Sequence, residues 1–158
     1  GMQPIVGYNY GAKNYDRVRK AVFLTIGCGI TIATLGFLIG ESVPHLVARA
    51  FVDSSKGLNE QLMVDAASQG MRLILTMFPL VGFQIVVGGF FQYIGKASLA
   101  IFMSLTRQLL FLIPLLWILP RTLGAYGVWI SMPIADAASI LLALVLFVWQ
   151  MRKIKKTV

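Results

Sequence analysis

Residues 21–40 form a run of twenty positions without one charged side chain. At about 1.5 Å of rise per residue, such a run makes a helix about 30 Å long, the thickness of a bilayer's hydrocarbon core. A backbone crossing lipid must satisfy its own hydrogen bonds, so this one feature points to a bundle of helical spans. Composition carries the point to the whole chain. It is 58% hydrophobic and 13% charged over 158 residues, against about 45–50% and about 25% in globular chains. A small domain hides only part of its surface, so the surplus apolar surface has to face lipid.

Three more apolar segments follow, at 73–94, 97–119 and 125–149. The fold class expected is all-α, an integral membrane bundle of four transmembrane helices. Pro79 and Gly82 are expected to kink the second span, because proline removes a donor and clashes with the preceding turn. Gly95 and Lys96 read as a tight turn, residues 120–124 as another, and Pro133 as a bend in the last span. The stretch 41–68 is mixed, and Asn59 followed by Glu60 has the pattern of a helix N-cap with an acid in the first turn. Gly36 and Gly40, four residues apart, permit close helix approach in lipid, which reads as packing within the bundle. Cys28 is the lone cysteine; inside an apolar run its thiol behaves as a small hydrophobe. Trp117, Trp129 and Trp149 fall near span ends, as interfacial aromatics do.

The net charge of +8 would suggest nucleic acid in a soluble chain, but its distribution fits a membrane. If four spans alternate, Lys13, Arg17, Arg19, Lys20, Lys96, Arg152, Lys153, Lys155 and Lys156 share one side. Arg49, Lys56 and Arg121 take the other. The richer side is expected to be cytoplasmic. That makes a multi-pass protein of the cytoplasmic (inner) membrane with both termini cytoplasmic, and no nucleic-acid partner.

No catalytic set, metal-ligand spacing or cofactor motif stands out, so an enzyme is not expected. His45 reads as a loop residue near the membrane surface. Arg107 and Asp136 differ, because ionisable groups within spans are costly and mark functional candidates. Counted from a turn near Thr122, they lie fifteen residues before and fourteen after it, about 21–22 Å deep on antiparallel neighbours. They are expected to form an intramembrane ion pair. The reading favoured is a latch fixing helix register; a switch that breaks during transport, or an Asp136 that exchanges protons with a cavity, stays open. Gln84, Gln92 and Gln108 are expected to bond between helices or line a cavity.

The opening string Gly1-Met2-Gln3-Pro4-Ile5-Val6-Gly7-Tyr8-Asn9-Tyr10-Gly11-Ala12-Lys13 resembles the loop signature of the multidrug and toxic compound extrusion (MATE) family. There, Gln3, Pro4, Gly7, Asn9 and Gly11 match a Gln-Pro-x-x-Gly-x-Asn-x-Gly string ahead of a basic stretch. The strings Gln92-Tyr93-Ile94-Gly95-Lys96-Ala97, Ser104-Leu105-Thr106-Arg107-Gln108, Gly127-Val128-Trp129 and Pro133-Ile134-Ala135-Asp136 follow in the family's order. Read physically, Gly7 and Gly11 permit tight turning, and Pro4 holds Gln3 extended.

The resemblance implies part of a twelve-helix, two-lobed transporter. Residues 1–20 would be a cytoplasmic loop, 21–150 four spans of the C-terminal lobe, and 151–158 a basic cytoplasmic tail. It implies a C-terminal fragment of a cation-coupled (proton or sodium) multidrug efflux antiporter that exports organic, often cationic compounds. Its partners would be a missing N-terminal lobe, membrane lipid, a small organic substrate and the coupling ion, with no cofactor. Span 73–94 carries no Asp or Glu, where some members place a cation-binding carboxylate, so Asp136 is the lone acid within the four spans. A lipid-linked sugar flippase of the same superfamily comes second, since Arg107 is the one cation within these spans. A non-transporting four-span scaffold comes third. Alone, the chain is expected to oligomerise or aggregate through its exposed packing faces.

Overall fold

The computed structural model describes residues 1–44 and 58–155, and among these the chain is helical, with no strand. The elements are α1 (Met2–Gly11), α2 (Tyr15–Ser42), α3 (Leu58–Leu75), α4 (Phe78–Tyr93), α5 (Ala97–Leu105), a π-helical segment (Thr106–Leu112), α6 (Ile113–Leu123) and α7 (Ala125–Lys155). His45, Arg49, Lys56 and Lys156 lie outside the described residues.

Three helical stretches are long and apolar enough to cross a membrane: Tyr15–Ser42, Ala97–Leu123 and Ala125–Ile154. The pair Gln61–Leu75 and Phe78–Tyr93 passes the same test only when taken together, with a bend of 49° between the two helices. The bend falls at Thr76 and Met77, ahead of Pro79 and well ahead of Gly82. The proline ring cannot coexist with a helical carbonyl four residues back, and that residue is Leu75, where α3 ends. Pro79 itself sits at the start of α4, where its missing N–H costs nothing. Gly82 has another use, taken up below.

The helices overrun the expected spans. The second begins at Leu58, so Asn59 lies within the helix instead of capping it. Helix α6 continues through Pro120 to Leu123, and the chain reverses at Gly124 alone, whose φ of +59° suits a residue without Cβ. The last helix runs unbroken through Pro133.

The opening segment is also a helix, not a loop. Pro4 stands in the first turn of α1, where donors have no intrahelical partner, so Gln3 is helical instead of extended. The chain turns at Lys13, with φ 58°, and not at Gly7 or Gly11.

Two features hold the bundle together. At one end, Val6, Val18, Val22, Val87, Phe90 and Phe91 are fully buried. Beside them Phe147 of α7 meets the rings of Phe23, Phe83 and Phe90 at 5.9, 6.0 and 5.8 Å, all near edge-on, the arrangement ring quadrupoles favour. Further along, α2 crosses α4 with backbone against backbone. A Cβ placed on Gly82 would stand 2.5 Å from the Gly29 carbonyl oxygen, and one on Gly29 would stand 3.2 Å from that of Gly82. Gly36 and Gly40, the pair suggested by spacing, instead face the side chains of Phe78 and Leu75.

Both ends of the described chain sit together. Gly7 of α1 lies against the Tyr93 carbonyl at the end of α4. In the α4–α5 turn, Lys96 donates to Gln150 of α7 and lies 5.5 Å from the Trp149 ring. Arg121 lies over Trp117 at 3.8 Å near the α6–α7 turn. Trp129, near the start of α7, packs on Gly70 of α3, so closely that a Cβ there would stand 2.7 Å from the indole.

Candidate functional site

The polar side chains of the spans gather where α4, the π-helical segment and α7 meet. Arg107 is the second residue of the π-helical segment and Asp136 lies midway along α7. Arg107 donates from both Nε and Nη2 to Oδ1 of Asp136, each at 2.7 Å. The carboxylate side chain is 9% exposed and the guanidinium 40%. The pair is therefore lopsided. Asp136 depends on Arg107 for its charge partner, while Arg107 keeps an open side.

The backbone around Arg107 departs from the α register for a sequence reason. Pro114 has no N–H for the carbonyl of Leu110, so the regular ladder must fail just before it. The wider register occupies the residues directly upstream, and Ile113 donates to the carbonyl of Gln108, five residues back. Such π segments inside helices recur at functional sites.

Arg107 also joins two cavities. One, of about 200 Å³, is lined by Gln84, Gly88, Gln92, Ser104 and Arg107 among others. The second, of about 330 Å³, holds Arg107, Gln108 and Asp136 against Phe78, Leu112 and Met132. So all five polar candidates from the spans line one of two neighbouring spaces. Gln84 is not used between helices through its carbonyl end: its Oε1 is buried with no hydrogen-bond partner among the described residues. An unpaired buried acceptor costs free energy, and here it stands beside a cavity that could hold water.

Sequence reading missed Ser104 and Thr106. Hydroxyls in spans are ordinarily silent because they bond back to their own helix, as Thr25, Thr31, Thr34 and Ser131 do. Thr106 has a buried Oγ1 without a partner, at the first π-helical residue. The only advance signal was its place beside Arg107 and ahead of Pro114.

The opening signature lies away from this region. Gln3, Pro4 and Gly11 are exposed on α1, and Asn9 is buried with Nδ2 donating to the Ile5 carbonyl at 2.8 Å. Gly7 lies against the end of α4, at the Tyr93 carbonyl. Among the described residues no cluster of His, Cys, Asp and Glu could hold a metal.

The model of one protein family, MatE, matches residues 1–118. The chain belongs to that family. No curated protein matches it. A multidrug resistance MATE family transporter of the MOP superfamily, solved in an inward-facing conformation, is 20% identical, with a TM-score of 0.89 over 99% of this chain. A transporter of the same description in an outward-facing conformation is 20% identical, with a TM-score of 0.85 over 98%. A mutant of the Vibrio cholerae MATE transporter VcmN is 17% identical, with a TM-score of 0.83 over 96%. These likenesses establish a MATE-type membrane fold. The chain spans 35%, 34% and 33% of those chains, about a third of their length.

Proposed function

We propose that this MatE chain forms part of the C-terminal lobe of a cation-coupled antiporter that exports organic, often cationic compounds against an inward proton or sodium flux. The observation that carries the reading is the family match together with the two fold likenesses. The same arrangement of helices fits an inward-facing and an outward-facing transporter about equally well, with TM-scores of 0.89 and 0.85. A lobe that keeps its fold while access alternates is what rocking of one half against another requires. The second half, the substrate and the coupling ion belong to the proposal. So do the inner membrane and the placement of both termini, with Lys13, Arg17, Arg19, Lys20 and Lys96, on the cytoplasmic side.

Within that scheme Arg107 and Asp136 act as a latch that holds α7 in register on the π-helical segment. Gln84, Gln92 and Gln108 line the polar spaces beside it. The flippase alternative is less well supported, because the two cavities beside the ion pair hold one cation among the described residues, Arg107, and that cation is already paired. The test is efflux of a fluorescent organic cation from vesicles under an imposed proton or sodium gradient. Efflux that follows one gradient and stops when it is collapsed is the expected result. Efflux indifferent to both gradients, or movement of a pyrophosphate lipid instead, would overturn the reading.

A further inference from the structure

On the face between α2 and α7, away from Arg107, lies a cavity of about 380 Å³. Its wall is apolar, built from Phe23, Ile26, Phe83, Leu144 and Phe147. The edge contacts of Phe23 and Phe83 on Phe147 set that wall in place. The remaining chemistry is concentrated at one end. Arg19 lies one turn before Phe23 on α2, and Arg152 five residues past Phe147 on α7. Phe23 and Phe147 touch and the helices run in opposite senses, so both arginines stand about 6–8 Å beyond the rings, on the same side. Both line the cavity, and no lining residue is acidic.

We propose that this groove binds an anionic phospholipid, one acyl chain lying along the aromatic wall and the phosphate held between Arg19 and Arg152. The charge pattern selects this occupant. An organic cation would meet two positive groups and no acid. A free inorganic anion gains nothing from the phenyl wall. An apolar helix would cover the wall but leave both guanidinium groups without a counter-charge. A phospholipid of negative charge satisfies both halves: guanidinium groups take phosphate oxygens in paired, charge-assisted bonds, and basic pockets between spans at a membrane surface suit acidic head groups.

The test is native mass spectrometry of the protein in a neutral detergent, titrated with palmitoyl-oleoyl phosphatidylglycerol or with the phosphatidylcholine of the same chains. The wild type is expected to prefer phosphatidylglycerol by about tenfold or more. Arg19→Gln with Arg152→Gln should abolish the preference while leaving phosphatidylcholine binding unchanged, and the double lysine replacement should retain most of it. Arg17→Gln with Lys20→Gln removes the same charge from exposed positions of α2 outside the groove, and should keep the preference. The lysine pair also serves if the glutamine pair fails to fold, since loss of preference in a folded lysine variant contradicts phosphate binding by positive charge. Equal binding of the two lipids by the wild type would overturn the proposal. So would a preference that survives the groove pair, or one that the Arg17 and Lys20 pair removes as completely.

Discussion

Helix α4 presents two faces that obey opposite rules. Around Gly82 it meets α2 with nothing between the backbones, and the nearest neighbours are the small residues Gly29 and Ala33. Two turns further on, Gly88 lies in open space beside a polar cavity, with no atom within 4 Å of where a Cβ would stand. The first face is rigid because interlocked backbones leave no room to shift. The second carries a π-helical neighbour, an unpaired buried Gln84 acceptor and an ion pair open on one side. One helix thus joins a fixed contact to a region whose polar groups still have binding capacity.

The largest effect that would break this contrast comes from filling both glycines. Gly82→Val should destabilise by about 3 kcal/mol or more, since a branched side chain must displace the Gly29 carbonyl. Gly88→Ala should be neutral or stabilise by up to about 1 kcal/mol, the ordinary gain of alanine over glycine in a helix. Thermal unfolding midpoints in one detergent measure both. Equal losses at the two positions would mean that the faces do not differ as described.

Next in size is the Arg107–Asp136 pair. Removing one member leaves the other charged and unpartnered, a cost of about 3–5 kcal/mol for a fully buried pair. Here the guanidinium is 40% exposed, so a coupling of about 1–2 kcal/mol is the fitting figure. A double-mutant cycle with Arg107→Gln and Asp136→Asn measures it. The expected outcome is that the second change costs less than it does alone. Strictly additive losses would remove the latch. If the double variant is stable yet no longer couples transport to an ion gradient, the pair is a switch instead.

How much of this could be read in advance depended on the range of the interaction. The spans were legible because lipid imposes length and apolarity locally. Arg107 and Asp136 could be set level by counting from a shared turn, since α6 and α7 are adjacent in sequence. The Gly29–Gly82 crossing could not: α2 offers Gly27, Gly29, Gly36 and Gly40, and nothing local says which meets α4. Helix α1 was hidden by its own glycines and proline, whose loop preference is overridden once Val6 and Asn9 are buried against neighbouring helices. The π-helical segment was foreshadowed by Pro114, yet a proline alone does not distinguish a kink, a break and a wider register.

The smallest effect concerns the end of the fixed region, where Lys96 closes the α4–α5 turn. Burial, and then the nearby Lys153 charge, hold its ammonium below the usual lysine value of 10.5. The folded protein therefore gives up this proton more readily than the unfolded chain. Between the folded value and 10.5 the unfolded state binds more protons, so stability contributed by this site rises with pH. The penalty for holding Lys96 charged is present in full at neutral pH and is relieved as pH climbs through that window. Lys96→Gln has nothing to titrate and should lack the alkaline rise, so the wild-type midpoint should gain on the variant's as pH approaches 10.5. A gap between the two that stays constant with pH would show that the folded environment does not disfavour the charge. The bond to Gln150 would then offset burial and the Lys153 charge, and this end of the bundle would be held by a polar contact as well as by packing.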